Sequence, residues 1–495
     1  MFKLTNTGRI SFQIGFKNRC KIVIPKMFDV NNHLSPVLLI VQECYSNKTG
    51  HNDNHIISDD FCKKGMSQAF CDSFDMYGKY NPSALSLQKL SEFGSKTGTE
   101  ESSFEFLRDE LLVRLANIMK EFNLLPVSFQ QRGSVAMVRN WYQQSFIEIT
   151  EFEKHNPDRD ILEKFTETLN KIRLRHSKVV ETMAKGVMEM RDAFEGESRN
   201  YDQQITYFLD RFYTNRIGIR VLLNQHLLLY GGELAHHPQH IGCINPSCDV
   251  EEVIRDAYDN ARFLCEHYYM CSPDLIIESY NPYEKADSIR IEYVPSHLYH
   301  MLFELSKNAM RAVVERHENK PEIPPIKIAV CKGKEDLAIK ISDQGGGISY
   351  GKVEQLFGYM FTTAPQPQPS HMMEGSAPLA GYGYGLPLSR LYARYFQGDL
   401  VLYSMEGYGM DAIIYLKVKD AMECLPIYNK TASKMYETDT SAPDWSSPSP
   451  WTQARGYSTI GGGNVSRGYS TLTDGQGARR TVCTWTRQPR LLDCH

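Results

Sequence analysis

From Phe104 to Leu223 apolar residues recur every three or four positions, and this long helical period constrains the fold more than any other feature of the chain. Phe104, Leu107, Leu111, Leu115, Ile118 and Phe122 form one stripe, which Pro126 closes. Val138, Tyr142, Phe146 and Ile149 form a second. Ile161, Phe165, Leu169, Ile172, Val179, Met183, Val187 and Met190 form a long third, and Ile205, Phe208, Phe212, Ile219 and Leu223 a fourth. A helix with one apolar face must bury it, and four in succession can bury theirs against one another as a bundle. After about residue 245 the period changes. Residues 297–317 read as a helix, Ile326, Ile328 and Val330 as a strand, Leu337–Ile341 as another, Gly385–Phe396 as a helix and Met410–Val418 as a further strand. Helices alternating with strands imply an α/β layer. The expected fold is α+β, a four-helix bundle followed by an α/β sandwich.

Composition sets the limits. Of 495 residues, 42% are hydrophobic and 23% charged, enough for large cores. A net charge of -4 argues against nucleic acid as the main partner, which would need concentrated positive charge. No apolar run approaches the roughly 20 residues that insertion across a bilayer requires. Twelve cysteines without close pairing read as free thiols in a reducing compartment. His236, His237, His240, Cys243 and Cys248 cluster in sequence, but Pro238 and Pro246 break the cluster and no second cysteine pair follows, so a surface loop is the better reading than a metal site. Residues 1–28 carry Lys3, Arg9, Lys17, Arg19, Lys21 and Lys26, with no acid before Asp29 and with interleaved apolar residues. That is the composition of a mitochondrial transit segment or of a disordered basic tail. Residues 29–65 read as linker. The bundle is expected over 66–240 and the sandwich over 241–428. Residues 429–495 drift to Ser, Thr, Gly, Pro and Arg, with two copies of Arg-Gly-Tyr-Ser-Thr at 455 and 467, and are expected to be partly disordered.

The chemistry concentrates in three later segments. His300, Glu304, Asn308 and Arg311 share one helix face, offering an imidazole, a carboxylate, an amide oxygen suited to Mg²⁺ and a guanidinium. Taken alone the stripe is equally a solvated charged face. Asp343-Gln-Gly345-Gly346-Gly347 follows a strand, placing a carboxylate beside exposed amides that could read adenine. Gly381-Tyr-Gly383-Tyr-Gly385-Leu386 leads into a helix, whose N-terminus can bind phosphate. Each glycine run alone is an ordinary turn. In this order the three segments can converge on one nucleotide, Asn308 on the metal, Asp343 on adenine and the late glycines on phosphates.

Three competing motifs fail. Gly346–Lys352 has the spacing of a phosphate-binding loop, but Val353 stands where a hydroxyl must reach Mg²⁺. Leu337-Ala-Ile-Lys340 imitates a protein-kinase lysine strand without an His-Arg-Asp loop or an Asp-Phe-Gly turn. Gly381–Gly385 follows no expected strand, which excludes a dinucleotide fold.

The order of these segments resembles the ATPase superfamily of gyrase, heat-shock chaperones, histidine kinases and mismatch-repair proteins (GHKL). Within it, Asn81-Pro-Ser-Ala-Leu-Ser-Leu, Val138-Arg-Asn-Trp-Tyr142, Phe208-Leu-Asp-Arg-Phe-Tyr, Leu223-Asn-Gln-His226, His300–Arg311, Phe361-Thr-Thr-Ala-Pro365 and Asp444-Trp445 resemble the pyruvate dehydrogenase kinases. The resemblance runs from about residue 70 to about 445. It implies a GHKL-type ATP-binding domain and a homodimer in the mitochondrial matrix, bound to lipoyl domains of the E2 acyltransferase core. It implies transfer of the ATP γ-phosphoryl group to serines of the pyruvate dehydrogenase E1 α subunit, with Mg²⁺. By position Glu304 is the general base, oriented by His300, and Asn308 holds Mg²⁺. The implied ATP site covers Glu304, Leu305, Ser306, Lys307, Asn308, Ala309, Met310 and Arg311, then Asp343, Gly345, Gly347, Thr362 and Thr363, then Gly381, Tyr382, Gly383, Tyr384, Gly385 and Leu386. Residues 364–380, with Pro365, Pro367 and Pro369, match the family's lid. Arg173, His176, Arg216 and Arg220 match the basic lining of its pocket for pyruvate-like acids, or are ordinary helix-surface charges. Asp444 and Trp445 match the pair that couples the two subunits. Ser306 and Asn215 depart from the family, which usually has an aromatic residue and a serine there. The alternatives are the branched-chain 2-oxoacid dehydrogenase kinase and a catalytically silent scaffold on the lipoyl core.

Overall fold

A computed structural model describes residues 68–191, 199–232, 239–283, 288–318, 320, 322–359, 361 and 383–428, together with the backbone of four short strands near the termini. The chain divides into two compact units, Met1–Glu437 and Thr438–His495. The sites expected at Thr362, Thr363, Gly381, Tyr382, Asp444 and Trp445, the 364–380 lid and most of the transit-like segment lie outside the described residues.

Six helices of ten residues or more build the first half among the described residues: α1 (Gln68–Tyr77), α2 (Glu100–Leu124), α3 (Gly133–Thr150), α4 (Arg159–Arg175), α5 (Val179–Arg191) and α6 (Arg199–Tyr230). A capping box starts α2: the Thr99 hydroxyl accepts from the Ser102 amide at 3.2 Å, and the Ser102 hydroxyl accepts from the Thr99 amide at 3.0 Å. Every residue from Glu110 to Met119 is buried, so α2 is the central helix of the bundle. It packs against α1, α3, α4 and α6. Edge-on aromatic contacts fill the centre, among them Phe122 with Phe208 at 5.3 Å and Phe122 with Phe212 at 5.5 Å.

The long third stripe is not one helix. A 3₁₀ turn at His176–Lys178 divides it into α4 and α5. His176 is drawn into the core there, stacked on Tyr142 at 4.4 Å and bonded to the Ser145 hydroxyl at 3.0 Å.

The second half comprises β1 (Asn245–Asp249), α7 (Val250–Tyr269), β2 (Leu275–Tyr280), β3 (Arg290–Tyr293), α8 (Pro295–His317), β4 (Ile326–Lys332), β5 (Asp336–Asp343), α9 (Gly385–Tyr395), β6 (Asp399–Met405) and β7 (Gly409–Lys417). A five-stranded sheet has the order β2-β4-β5-β7-β6, with β2 and β4 parallel and the other pairs antiparallel. β1 and β3 pair separately. Helix α8 lies over β5, between α7 and α9. The sequence pattern missed α7 because two of its buried positions, Ala257 and Ala261, carry little hydrophobic signal.

Gly468–Thr473, in the second tail repeat, pairs antiparallel with Arg479–Thr484. The Thr and Val residues of this pair favour extended backbone. Cys243, Cys248, Cys265, Cys271, Cys331 and Cys424 are free, but Cys71 is disulfide-bonded rather than a free thiol. No described helix is long and apolar enough to cross a membrane.

Bundle and sandwich, expected as separate domains, share one compact unit. Arg114 of α2 is fully buried and donates to Glu110 at 2.8 Å, to Glu423 at 2.8 Å and to the Ser83 carbonyl at 2.9 Å. Glu423 lies beyond β7 and also accepts from the Leu85 amide at 3.0 Å and from the Tyr395 hydroxyl of α9. Asn215, the departure on α6, reinforces the junction by donating to the Arg114 carbonyl at 3.2 Å and to the Tyr428 hydroxyl at 2.8 Å. Loss of Glu423 leaves Arg114 with Glu110 alone and strips the buried Leu85 amide and Tyr395 hydroxyl of their acceptor. Glu423→Ala should therefore cost about 3–5 kcal/mol in urea unfolding. A loss below about 1 kcal/mol would show that water reaches Arg114.

Candidate functional site

Helix α8 begins with Pro295 in its first turn, where the missing N–H costs nothing. Its ridge of residues four apart, Glu304, Asn308, Ala312 and Arg316, is the surface on which both glycine turns close. Glu304 is buried and accepts from the Lys307 ammonium at 2.7 Å. Its carboxylate lies so near the Cα of Gly385 that any side chain there would collide with it. Gly385 opens α9, so Glu304 sits at the positive end of that helix. One turn before Glu304, His300 packs on Tyr392 of α9 at 4.9 Å, and its Nε2 is buried without a hydrogen-bond partner. Burial pushes the His300 pKa down, against the pull of Glu304. Asn308 is exposed on the same ridge, and Arg311 pairs with Glu315 at 2.7 Å.

Asp343 ends β5 and accepts from the Gly345 amide at 2.8 Å. Burial raises its carboxyl pKa, opposed by the Gly345 and Met410 amides. Gly345 packs on Ala312 with no room for a Cβ, and Gly346 packs on the Arg316 guanidinium. Gly346 and Gly347 have φ of 92° and 59°, left-handed conformations that favour glycine. The turn is secured by Arg316 donating to the Gly407 carbonyl at 2.9 Å and by the Ser404 hydroxyl, which accepts from the Ile348 amide at 2.7 Å. Sequence reasoning missed Arg316 and Ser404. Arg316 was readable as the next step of the ridge after Asn308, whereas nothing local marked Ser404.

Several residues expected at the nucleotide have side chains buried in the core. The Leu305, Ser306, Ala309 and Met310 side chains are buried on the far side of α8 from the ridge. Ser306, the departure from an aromatic, has its hydroxyl buried without a partner. Tyr384 is fully buried, its ring 6.1 Å from Tyr213 of α6, and Leu386 packs against the core. Gly383, with φ of 71°, lies against the Phe361 backbone.

The four basic residues expected to line a pocket do come together in the bundle. Arg216 is buried and donates to the His176 carbonyl at 3.1 Å, while its Nε lacks a partner. Burial, with Arg216 adding repulsion, lowers the His176 pKa to about 3. Burial and the neighbouring Arg216 also lower the Arg220 pKa, with Arg173 a further repulsive neighbour. Arg173 itself is held by the Asn170 amide oxygen at 3.0 Å. From the cysteine–histidine loop, Cys243 is engaged with the Gln225 amide oxygen at 3.1 Å. Among the described residues, no group of three or more His, Cys, Asp or Glu residues could hold a metal ion.

Comparison with known proteins agrees with this geometry. The family model described as mitochondrial branched-chain alpha-ketoacid dehydrogenase kinase matches residues 84–245, and that of histidine kinase-, DNA gyrase B- and HSP90-like ATPases matches residues 293–420. The mitochondrial pyruvate dehydrogenase (acetyl-transferring) kinase of Drosophila melanogaster is 52% identical over 78% of this chain and 94% of its own length. Isozyme 3 of Homo sapiens is 51% identical over 78% of this chain and 95% of its own, and the Ascaris suum kinase 51% over 77% and 95%. With half of its residues shared along nearly the full length of these relatives, and with a GHKL-type ATPase domain matched over residues 293–420, the chain belongs to the mitochondrial pyruvate dehydrogenase kinase family.

Proposed function

We propose that the protein is an ATP-dependent serine kinase of the mitochondrial matrix that phosphorylates, and so inactivates, the E1 α subunit of the pyruvate dehydrogenase complex. The observation that carries this reading is the α8 ridge, with Glu304 against Gly385 at one end and Ala312 and Arg316 against the Asp343 turn at the other. A nucleotide lying along that ridge would have its adenine amine at Asp343 and its phosphates at the N-terminus of α9. The donor set fits: a half-buried carboxylate for an amine, a helix start with no side-chain cap for phosphate, and the Lys307 ammonium beside Glu304. Glu304 takes the proton of the substrate serine hydroxyl as its oxygen attacks the γ-phosphorus, and ADP leaves. His300, held by Tyr392, orients Glu304. Asn308 presents its amide oxygen for Mg²⁺, which when bound spreads the charge of the transferred group. The relatives at about half identity are all named for the pyruvate complex, which favours its E1 α over the branched-chain enzyme.

The remaining partners follow from surfaces. A cavity lined by Leu85, Leu90, Phe93, Phe106, Leu222 and Leu229, with Lys89 among its walls, suits the aliphatic arm of an E2 lipoyl domain. The outer sheet face exposes Ile276, Tyr280, Tyr403 and Tyr415, which supports a homodimer built on that face. The Arg173, Arg216 and Arg220 cluster beside His176 suits a small carboxylate effector.

Incubation with labelled ATP and purified pyruvate or branched-chain E1 tests the function directly: label on pyruvate E1 α supports it, and label only on the branched-chain enzyme refutes it. Glu304→Gln should lower kcat by about 10²–10⁴-fold while ATP still binds, because proton acceptance alone is lost. Normal turnover would remove Glu304 from the chemistry. Asn308→Ala should weaken Mg-ATP binding about tenfold in calorimetry, and unchanged affinity would exclude its metal role. For the basic cluster, pyruvate should raise Tm in thermal-shift measurements and Arg220→Gln should abolish that rise. Because His176 folds as the neutral imidazole, with its pKa lowered to about 3, its contribution to stability is complete above the ordinary pKa of about 6.5. That contribution fades as pH falls from there toward 3, and a bound carboxylate should lessen the loss.

A further inference from the structure

We propose that Asp210, acting through Tyr359, is a positioning residue for phosphoryl transfer: from the bundle it fixes the turn Gly383–Gly385 against Glu304. The inference rests on the assignment of Glu304 and Gly385 to the reacting site. Asp210 stands on α6 of the bundle, and Tyr359 belongs to the sandwich half. The Tyr359 hydroxyl donates to the Asp210 carboxylate at 2.7 Å. Burial pushes the Asp210 carboxyl pKa up, and the Tyr359 hydroxyl is the hydrogen-bond donor that opposes it. The two cations nearest in charge, Arg390 and Arg394, are otherwise engaged. Both bond Asp399, at 3.1 and 2.8 Å, and Arg390 lies over the Phe357 ring at 4.3 Å.

Ring contacts carry the grip onward. The Tyr359 ring is 5.2 Å from that of Tyr384 and 5.8 Å from that of Tyr213, which stands one turn after Asp210 on α6. Tyr384 lies directly between Gly383 and Gly385. Gly383 in turn lies against the backbone of Phe361, two residues past Tyr359, with no space for a Cβ. Tyr359 and Phe361 are thus strapped to the chain at 383–385, and Asp210 and Tyr213 hold the strap to the bundle. What the strap sets is the place of Gly385, and with it the carboxylate of Glu304 and the first amides of α9.

Tyr359→Phe removes the hydroxyl and keeps the ring, which makes it the cleanest variant. It and Asp210→Ala should each raise the KM for ATP, and the Kd for Mg-ATP in calorimetry, by about five- to tenfold. Tm should move by no more than about 2–4 °C. Asp210→Asn, which keeps an acceptor oxygen, should restore affinity to near that of the unaltered protein. The double variant should be no worse than either single one, because both remove the same hydrogen bond. Unchanged KM and Kd in Tyr359→Phe, or a loss of activity that only follows a fall in Tm, would overturn the proposal. Failure of the unaltered protein to bind Mg-ATP would instead overturn the nucleotide site on which it rests.

Discussion

The guanidinium of Arg114 is cut off from water, and the arrangement of the two halves follows from how its charge is met. Two carboxylates and a carbonyl surround it, one carboxylate from its own helix and the other from the segment that leaves the last strand of the sheet. An ion buried this deeply is stable only while its partners stay in place. Separating bundle from sandwich would strand Arg114 and Glu423 together, and would open the packing of α6 on α9. The two halves are therefore rigidly registered. That registration lets a bundle residue such as Asp210 set the geometry of a site assembled on the other half.

At the site, the division of labour is between a ridge and two turns. The ridge of α8 supplies the chemical groups, and the turns supply close backbone. Gly345, Gly346 and Gly385 matter for the side chain each omits, because every one of them meets an α8 side chain where a Cβ would stand. Larger residues there would push Asp343 or Glu304 out of place. The same geometry explains why Leu305 and Met310 cannot serve a ligand through their side chains: they point from the opposite face of α8 into the core.

Much of this was legible in the sequence because helical period and glycine spacing are local signals. The bundle stripes, α8, β4, β5, α9 and β7 all lie where apolar period and glycine placed them, and so do Glu304, Asn308 and Asp343. What was hidden depends on contacts far apart in sequence. His176 interrupts its helix because Tyr142, Ser145 and Arg216 hold it, and no local residue announces that break. Helix α7 has alanines at two of its buried positions, and the Tyr384 ring is covered by the bundle. The pairing of Arg114 with Glu423 could not have been read from either neighbourhood.

That pairing also bears on how the chain comes to be folded. Its two members are 309 positions apart, so a chain emerging from a ribosome presents α2 with Glu110 as the one carboxylate beside Arg114 long before the second arrives. Until residue 423 has followed, Arg114 lacks the carboxylate that ties it to the other half of the unit. The final docking of the two halves, as opposed to the folding of either, therefore waits until almost the whole chain has been made.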